Sequence, residues 1–140
     1  MSEYKGLLWL PCFSTSLMEK CIEVIKIYNL TENKMVLGYP NHYQKVQDFW
    51  ESRGFTKRIT TGFYLVSVAM SSCREVHLYG FWPFSQEVDM HTMKSIPYHY
   101  FENMEVGKSK NFHDMHSEFS VLLQLHLLGI LKIHVGICEY

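Results

Sequence analysis

Ile59-Thr-Thr-Gly-Phe-Tyr-Leu-Val-Ser-Val-Ala-Met-Ser-Ser-Cys-Arg-Glu-Val-His-Leu-Tyr-Gly-Phe-Trp82 is the stretch on which the fold turns. Thr60-Thr61-Gly62 opens an apolar helix that runs through Ser72, and Val76–Trp82 reads as a strand halted by Pro83. A helix passing within a few residues into a strand is half of an α/β repeat, and the pattern continues on both sides. Upstream, Leu7–Leu10 is a short apolar run closed by Pro11, Ser16–Tyr28 has helical spacing, and Lys34–Tyr39 is a second strand stopped by Pro40. From residue 41 to 53, Tyr43, Val46, Phe49 and Trp50 recur at three- and four-residue steps, with Asn41 as the expected N-cap and Gly54 ending the helix. Downstream, residues 84–112 read mostly as loop, Ser117–Leu128 as a helix punctuated by Gly129, and Leu131–Val135 as an edge strand. Alternation at this spacing predicts an α/β fold with a largely parallel sheet flanked by helices, and no internal repeat is present. Ligands in such sheets sit beyond the carboxyl ends of the strands, which directs attention to Pro11–Ser16, Thr60–Gly62, Tyr79–Phe84 and the loop before the last helix.

Bulk properties narrow the partners. The 140 residues, 47% hydrophobic and 15% aromatic, suffice for one compact domain with a packed core. Thirteen basic and fourteen acidic side chains give a charge of −1 without a Lys/Arg cluster, which argues against nucleic acid as a partner. The apolar run Val121–Leu131 is interrupted by Gln124, His126 and Gly129 and is too short to span a bilayer. Met-Ser-Glu-Tyr-Lys at the start has neither the basic nor the apolar region of a secretory signal, so at face value the address is cytosolic. Cys12, Cys21, Cys73 and Cys138 form no CxxC or Cys/His metal spacing and leave three complete pairings, or four free thiols, open. Asn29-Leu-Thr31 satisfies the N-glycosylation sequon.

Two histidines stand in the loop region where chemistry is expected: His99 in Tyr98-His-Tyr-Phe-Glu102, and His113 in Phe112-His-Asp-Met-His-Ser-Glu-Phe119. Imidazole titrates near pH ~6.5, so either side chain suits general-base work, and either also suits an ordinary surface loop. Glu118 follows His113 by five residues, a spacing that needs a turn for the two to interact. His113 with His116, or His99 with Glu102, are three-apart pairs that invite a metal reading. No HExxH accompanies them, so none is assigned. Thr60-Thr61-Gly62 at a helix start offers backbone N–H groups to a carboxylate or phosphate, besides serving as a plain N-cap. Tyr79-Gly-Phe-Trp-Pro-Phe84 places aromatic rings at a strand end, where they could stack on a base or sugar as well as fill a core.

In this order the stretches resemble the motifs of the eukaryotic sialyltransferases, and Tyr79-Gly-Phe-Trp-Pro-Phe84 is similar to the α2,8 group in particular. Residues 59–82 look like the small sialyl motif, His99-Tyr-Phe-Glu102 like motif III, and His113 through Glu118 like the very-small His-x4-Glu motif. The resemblance covers nearly the whole chain and implies the C-terminal part of a Rossmann-like catalytic domain, the sialyltransferase variant of the GT-A type. It implies metal-independent, inverting transfer of sialic acid from CMP-sialic acid to a hydroxyl of a sialylated glycoprotein or glycolipid. Residue by residue, it makes His113 the base, Glu118 an orienting or polarising group, and His99 a neighbour of the departing phosphate. Thr60, Thr61 and Gly62 would face the donor carboxylate, with Tyr79, Gly80, Phe81, Trp82 and Tyr100 completing the donor site.

The chain departs from the pattern at Thr60, where the family usually has Ser, and at His116, where it commonly has Pro. The long sialyl motif, the stem and the membrane anchor of a Golgi lumenal enzyme are expected upstream of residue 1. The same resemblance implies that Cys73 and Cys138 pair with upstream cysteines, and it offers no counterpart for Cys12 and Cys21. Turnover by these 140 residues alone is therefore expected to be low or absent. The rival expectation is a catalytically dead module that binds sialoglycans.

Overall fold

The computed structural model describes residues 6–27, 33–86, 96 and 112–136. The chain divides into two compact units, Met1–Arg53 and Gly54–Tyr140.

In the first unit, strand β1 (Gly6–Leu10) pairs in parallel with β2 (Asn33–Leu37), in register from Gly6 opposite Asn33 to Leu10 opposite Leu37. Parallel neighbours need a crossover, and helix α1 (Thr15–Ile27) lies on it. A disulfide joins Cys12 to Cys21, tying the β1–α1 loop to the helix. These are the two cysteines for which the family resemblance had no counterpart. The second strand stops at Leu37, short of the expected Tyr39, because Gly38 turns in against the first. Its N–H donates to the Leu10 carbonyl at 2.7 Å, and a Cβ there would sit 3.2 Å from the Trp9 ring.

Helix α2 (Pro40–Glu51) starts one residue before the expected Asn41 cap. Tyr39 holds the cap position with extended backbone and no side-chain bond, and Pro40 occupies the first turn. Proline has no N–H, but the first turn does not need one, and its fixed φ suits a helix start. Tyr43, Gln47 and Trp50 form the buried face, and Tyr43 packs on Phe13 at 4.3 Å between ring centroids.

The second unit runs α3 (Thr61–Ser72), β3 (His77–Tyr79), α4 (Met115–Leu127) and β4 (Lys132–His134). The two strands pair in parallel, His77 opposite Lys132 and Tyr79 opposite His134. The strand expected over Val76–Trp82 shortens to three residues because Gly80 takes φ +75°, a left-handed turn that ends the pleat. Helix α4 begins at Met115, two residues before the expected Ser117, because Asp114 caps it and accepts from the Ser117 N–H at 3.2 Å. It closes at Gly129, φ +73°, with Gly129 N–H donating to His126 O and Ile130 N–H to Leu125 O, a Schellman ending.

Among the described residues, Ile59, Phe63, Tyr64, Val66, Val76, Leu78, Leu122 and Leu131 are buried apolar side chains of this unit. Burial also pushes the Tyr64 phenol upward in pKa. The chain is α/β, and both observed strand pairs are parallel. Among the described residues no helix is long and apolar enough to cross a membrane.

Candidate active site

Three segments of the second unit meet at the start of α3. Thr60 is the N-cap: its Oγ1 accepts from the Phe63 N–H at 3.1 Å, satisfying one of the donors that every helix start leaves open. Glu118, on the first turn of α4 and 5% exposed, reaches across to the same residue. Its Oε1 accepts from the Thr60 N–H at 2.7 Å and its Oε2 from the Thr60 hydroxyl at 2.6 Å. Thr60 thus gives both of its donors to the fold, so the hydroxyl has no hydrogen left for a ligand. Thr61 and Gly62, next along the helix, carry the N–H groups at the positive end of its dipole.

Burial raises the Glu118 carboxyl above its ordinary pKa. The two Thr60 hydrogen bonds and a charge on His113 pull it back down, and the Asp114 charge adds a smaller upward push. Asp114 is held low, chiefly by its bonds to Ser117, with Lys57 and His116 adding charge.

His113 lies just ahead of the α4 cap, and its Nδ1 stands 2.8 Å from the Arg58 carbonyl oxygen. A carbonyl only accepts, so this contact assigns the proton of the neutral ring to Nδ1 and leaves the Nε2 lone pair free. That is the arrangement a general base needs: one nitrogen oriented, the other able to take a proton. His113 and Glu118 are therefore positioned through the two ends of one short segment, Arg58–Thr60. Both Glu118 carboxylate oxygens are taken up by Thr60, 58 residues away, and not by a turn that brings the side chain back to His113.

Beside this junction is a cavity of about 340 Å³ lined by Thr60, Gly62, Gly80, Phe81, Trp82 and Pro83 on one side and by α4 on the other. Met115, Glu118, Phe119 and Leu122 supply the α4 wall, at the i, i+3, i+4, i+7 spacing of a single helix face. Phe81 rests on the start of α3: a Cβ on Gly62 would meet its ring at 3.3 Å. The Trp82 indole N–H donates to the Gln86 carbonyl at 2.7 Å, and its ring sits edge-on to Phe84 and Phe119 at 4.7 and 5.8 Å.

Five of the donor-site residues expected from the sequence, Thr60, Gly62, Gly80, Phe81 and Trp82, thus line one cavity. Thr61 is exposed on the first turn of α3. Tyr79, 65% exposed, is not in the lining and stacks on His134 at 4.4 Å. His99, Tyr100, Asn29 and Cys138 lie outside the described residues, and Cys73 is exposed with no disulfide partner among the described residues. His116, edge-on to Phe84 at 5.5 Å, sits one helical step from Met115. No group of three or more His, Cys, Asp or Glu among the described residues is arranged to hold a metal ion.

Sequence reasoning missed the Arg58 carbonyl, which no side-chain pattern announces, and the α4 wall, whose periodicity was readable from Met115 to Leu122. Residues 2–130 match the profile of glycosyltransferase family 29 (sialyltransferase). The chain is 36% identical over 137 residues to "Alpha-2,8-sialyltransferase 8F" of Mus musculus, covering 94% of this chain and 33% of that protein. It is 40% identical over 138 residues to "Alpha-N-acetylneuraminide alpha-2,8-sialyltransferase" of Bos taurus, covering 94% and 37%, and 35% identical over 146 residues to the Xenopus laevis protein of that name, covering 99% and 39%. The chain therefore spans between about a third and two-fifths of the length of these relatives.

Proposed function

The chain belongs to the sialyltransferases of glycosyltransferase family 29, and from that premise we propose that it carries the acceptor and general-base end of an α2,8-sialyltransferase site. The observation that supports this reading most is the junction at Arg58–Thr60, where His113 and Glu118 are fixed beside the cavity that Gly62 and Gly80–Pro83 line. In the reaction, the acceptor hydroxyl attacks the anomeric carbon of CMP-sialic acid from the face opposite CMP. The new glycosidic bond forms as the bond to the phosphate oxygen breaks, and the configuration inverts. His113 Nε2 takes the hydroxyl proton, while its Nδ1–H stays on the Arg58 carbonyl. The electron pair of the broken bond leaves with CMP.

Glu118 acts as a positioning residue. By holding the Thr60 N–H and hydroxyl it fixes the start of α3, so that the Thr61 and Gly62 N–H groups can meet the donor carboxylate. Phe81 and Trp82 wall the donor pocket. His99, with Tyr100 beside it, would face the phosphate and stabilise the charge that grows there. No metal takes part in these steps.

The acceptor is a sialylated glycoprotein or glycolipid, the sheet is Rossmann-like in the GT-A manner, and the working location is the Golgi lumen, with attachment through a membrane anchor. These 140 residues, between about a third and two-fifths of the relatives' length, are expected to turn over little by themselves. Incubating the full-length protein with CMP-sialic acid and a sialylated acceptor, then determining the product linkage, tests the proposal. An α2,8-linked product is expected, and absence of transfer to any sialylated acceptor would overturn it.

A further inference from the structure

Away from the cavity, three histidines converge on the three-residue strand β4. His77 Nδ1 and His134 Nε2 stand 3.0 Å apart across the β3–β4 pair, with the two rings within 16° of a common plane. On α4, the ring of His126 turns its Nδ1 to the Ile133 N–H at 3.4 Å. Each contact needs a lone pair. The His77–His134 bond forms when the pair carries no extra proton or one, and it cannot form when both imidazoles are charged, because each of the facing nitrogens then bears a hydrogen. A charged His126 likewise cannot accept from Ile133.

Three further groups face the pair. The Glu75 carboxylate lies 3.8 Å from His77 Nε2, and Tyr79 stacks on His134 at 4.4 Å, where a cation is welcome. Lys132, opposite His77 in the strand register, already supplies a fixed positive charge to the same face.

We propose that β4 is an acid-released latch: its pairing with β3 holds while these imidazoles keep their acceptor nitrogens and loosens when they are fully protonated. The backbone that remains is small, three register pairs and the Lys132 N–H to Val76 carbonyl bond at 2.8 Å. β3 runs directly into Gly80–Pro83, one wall of the cavity, so release of β4 frees that wall at its root. The latch is a property of the β3–β4 pair and holds whether or not the cavity transfers sialic acid.

Hydrogen exchange on the full-length protein tests it, with rates at pH 7.5 and pH 5 corrected for intrinsic exchange. That interval spans the ordinary protonation range of imidazole. The latch requires protection of residues 76–79 and 132–134 to fall about tenfold at pH 5 while α3 keeps its own. A His77→Gln/His134→Gln double variant, whose amides bond to each other at any pH, should lose most of the fall, and adding His126→Gln should remove the rest. Unchanged protection in the wild type, or an undiminished fall in the triple variant, overturns the latch. Should the variants not fold, the wild type decides alone: loss confined to β3, β4 and residues 80–83 supports it, and loss spread evenly over the helices overturns it.

Discussion

Removing the Glu118 carboxylate would leave the Thr60 N–H and hydroxyl facing a buried gap. Glu118→Ala should therefore cost about 1–3 kcal/mol in denaturant unfolding. Glu118→Gln should be far milder, because an amide oxygen can take the N–H while the amide nitrogen donates to Oγ1. The pH dependence separates the two roles of the group. Burial raises its pKa above the unfolded value, so the charged form is the costly one in the native state. Stability carried by the protonated form is then complete below the unfolded glutamate value and falls as pH climbs through the raised one. Unfolding midpoints across that window should decline in the wild type relative to Glu118→Gln; a wild type that gains on the variant with rising pH would reverse the assignment.

At Gly62 the constraint is space. Gly62→Ala pushes a methyl to 3.3 Å from the Phe81 ring, and the KM for CMP-sialic acid should rise several-fold with kcat little changed, an overpacking cost of about 1 kcal/mol or more. The sequence made Thr60 a cap and His113 a candidate base because both properties are local. The bond from Thr60 to Glu118 joins positions 58 residues apart, and nothing in either neighbourhood names the other as partner.

Among elements, the ends of helices and strands carried most of the surprises. Pro40 was legible as a strand stop, but the same ring is also a good first helical residue, and its position next to a turn decided between them. Gly80 sat inside an apolar run that looked like strand through Trp82; the run is apolar because Phe81 and Trp82 line a cavity, and periodicity does not distinguish that from a sheet. The α4 start moved back from Ser117 because Asp114 caps the helix and holds the Ser117 hydroxyl.

The disulfide in the β1–α1 loop was open in the sequence, as pairing is fixed by distance rather than by spacing. It closes a short loop, nine residues in separation, and the chain-entropy argument gives about 2–3 kcal/mol. Cys12→Ser should lower the unfolding free energy of the first unit by that amount, and reduction of the wild type should match it. No effect of either change would mean that the loop is held without the bond.

For the molecule as a whole, the alternation of strand and helix patterns was enough for an α/β fold, while its division into two units, each with one parallel strand pair among the described residues, needed coordinates. The ordered motifs led to the family, which the match over residues 2–130 establishes. What no pattern supplied was the way Arg58–Thr60 serves both His113 and Glu118. The most direct test is transfer by the full-length protein with His113→Ala, assayed beside CMP binding. The account predicts a loss of at least about 10²-fold in kcat with CMP affinity retained. Transfer at the wild-type rate would remove His113 as the base and contradict it.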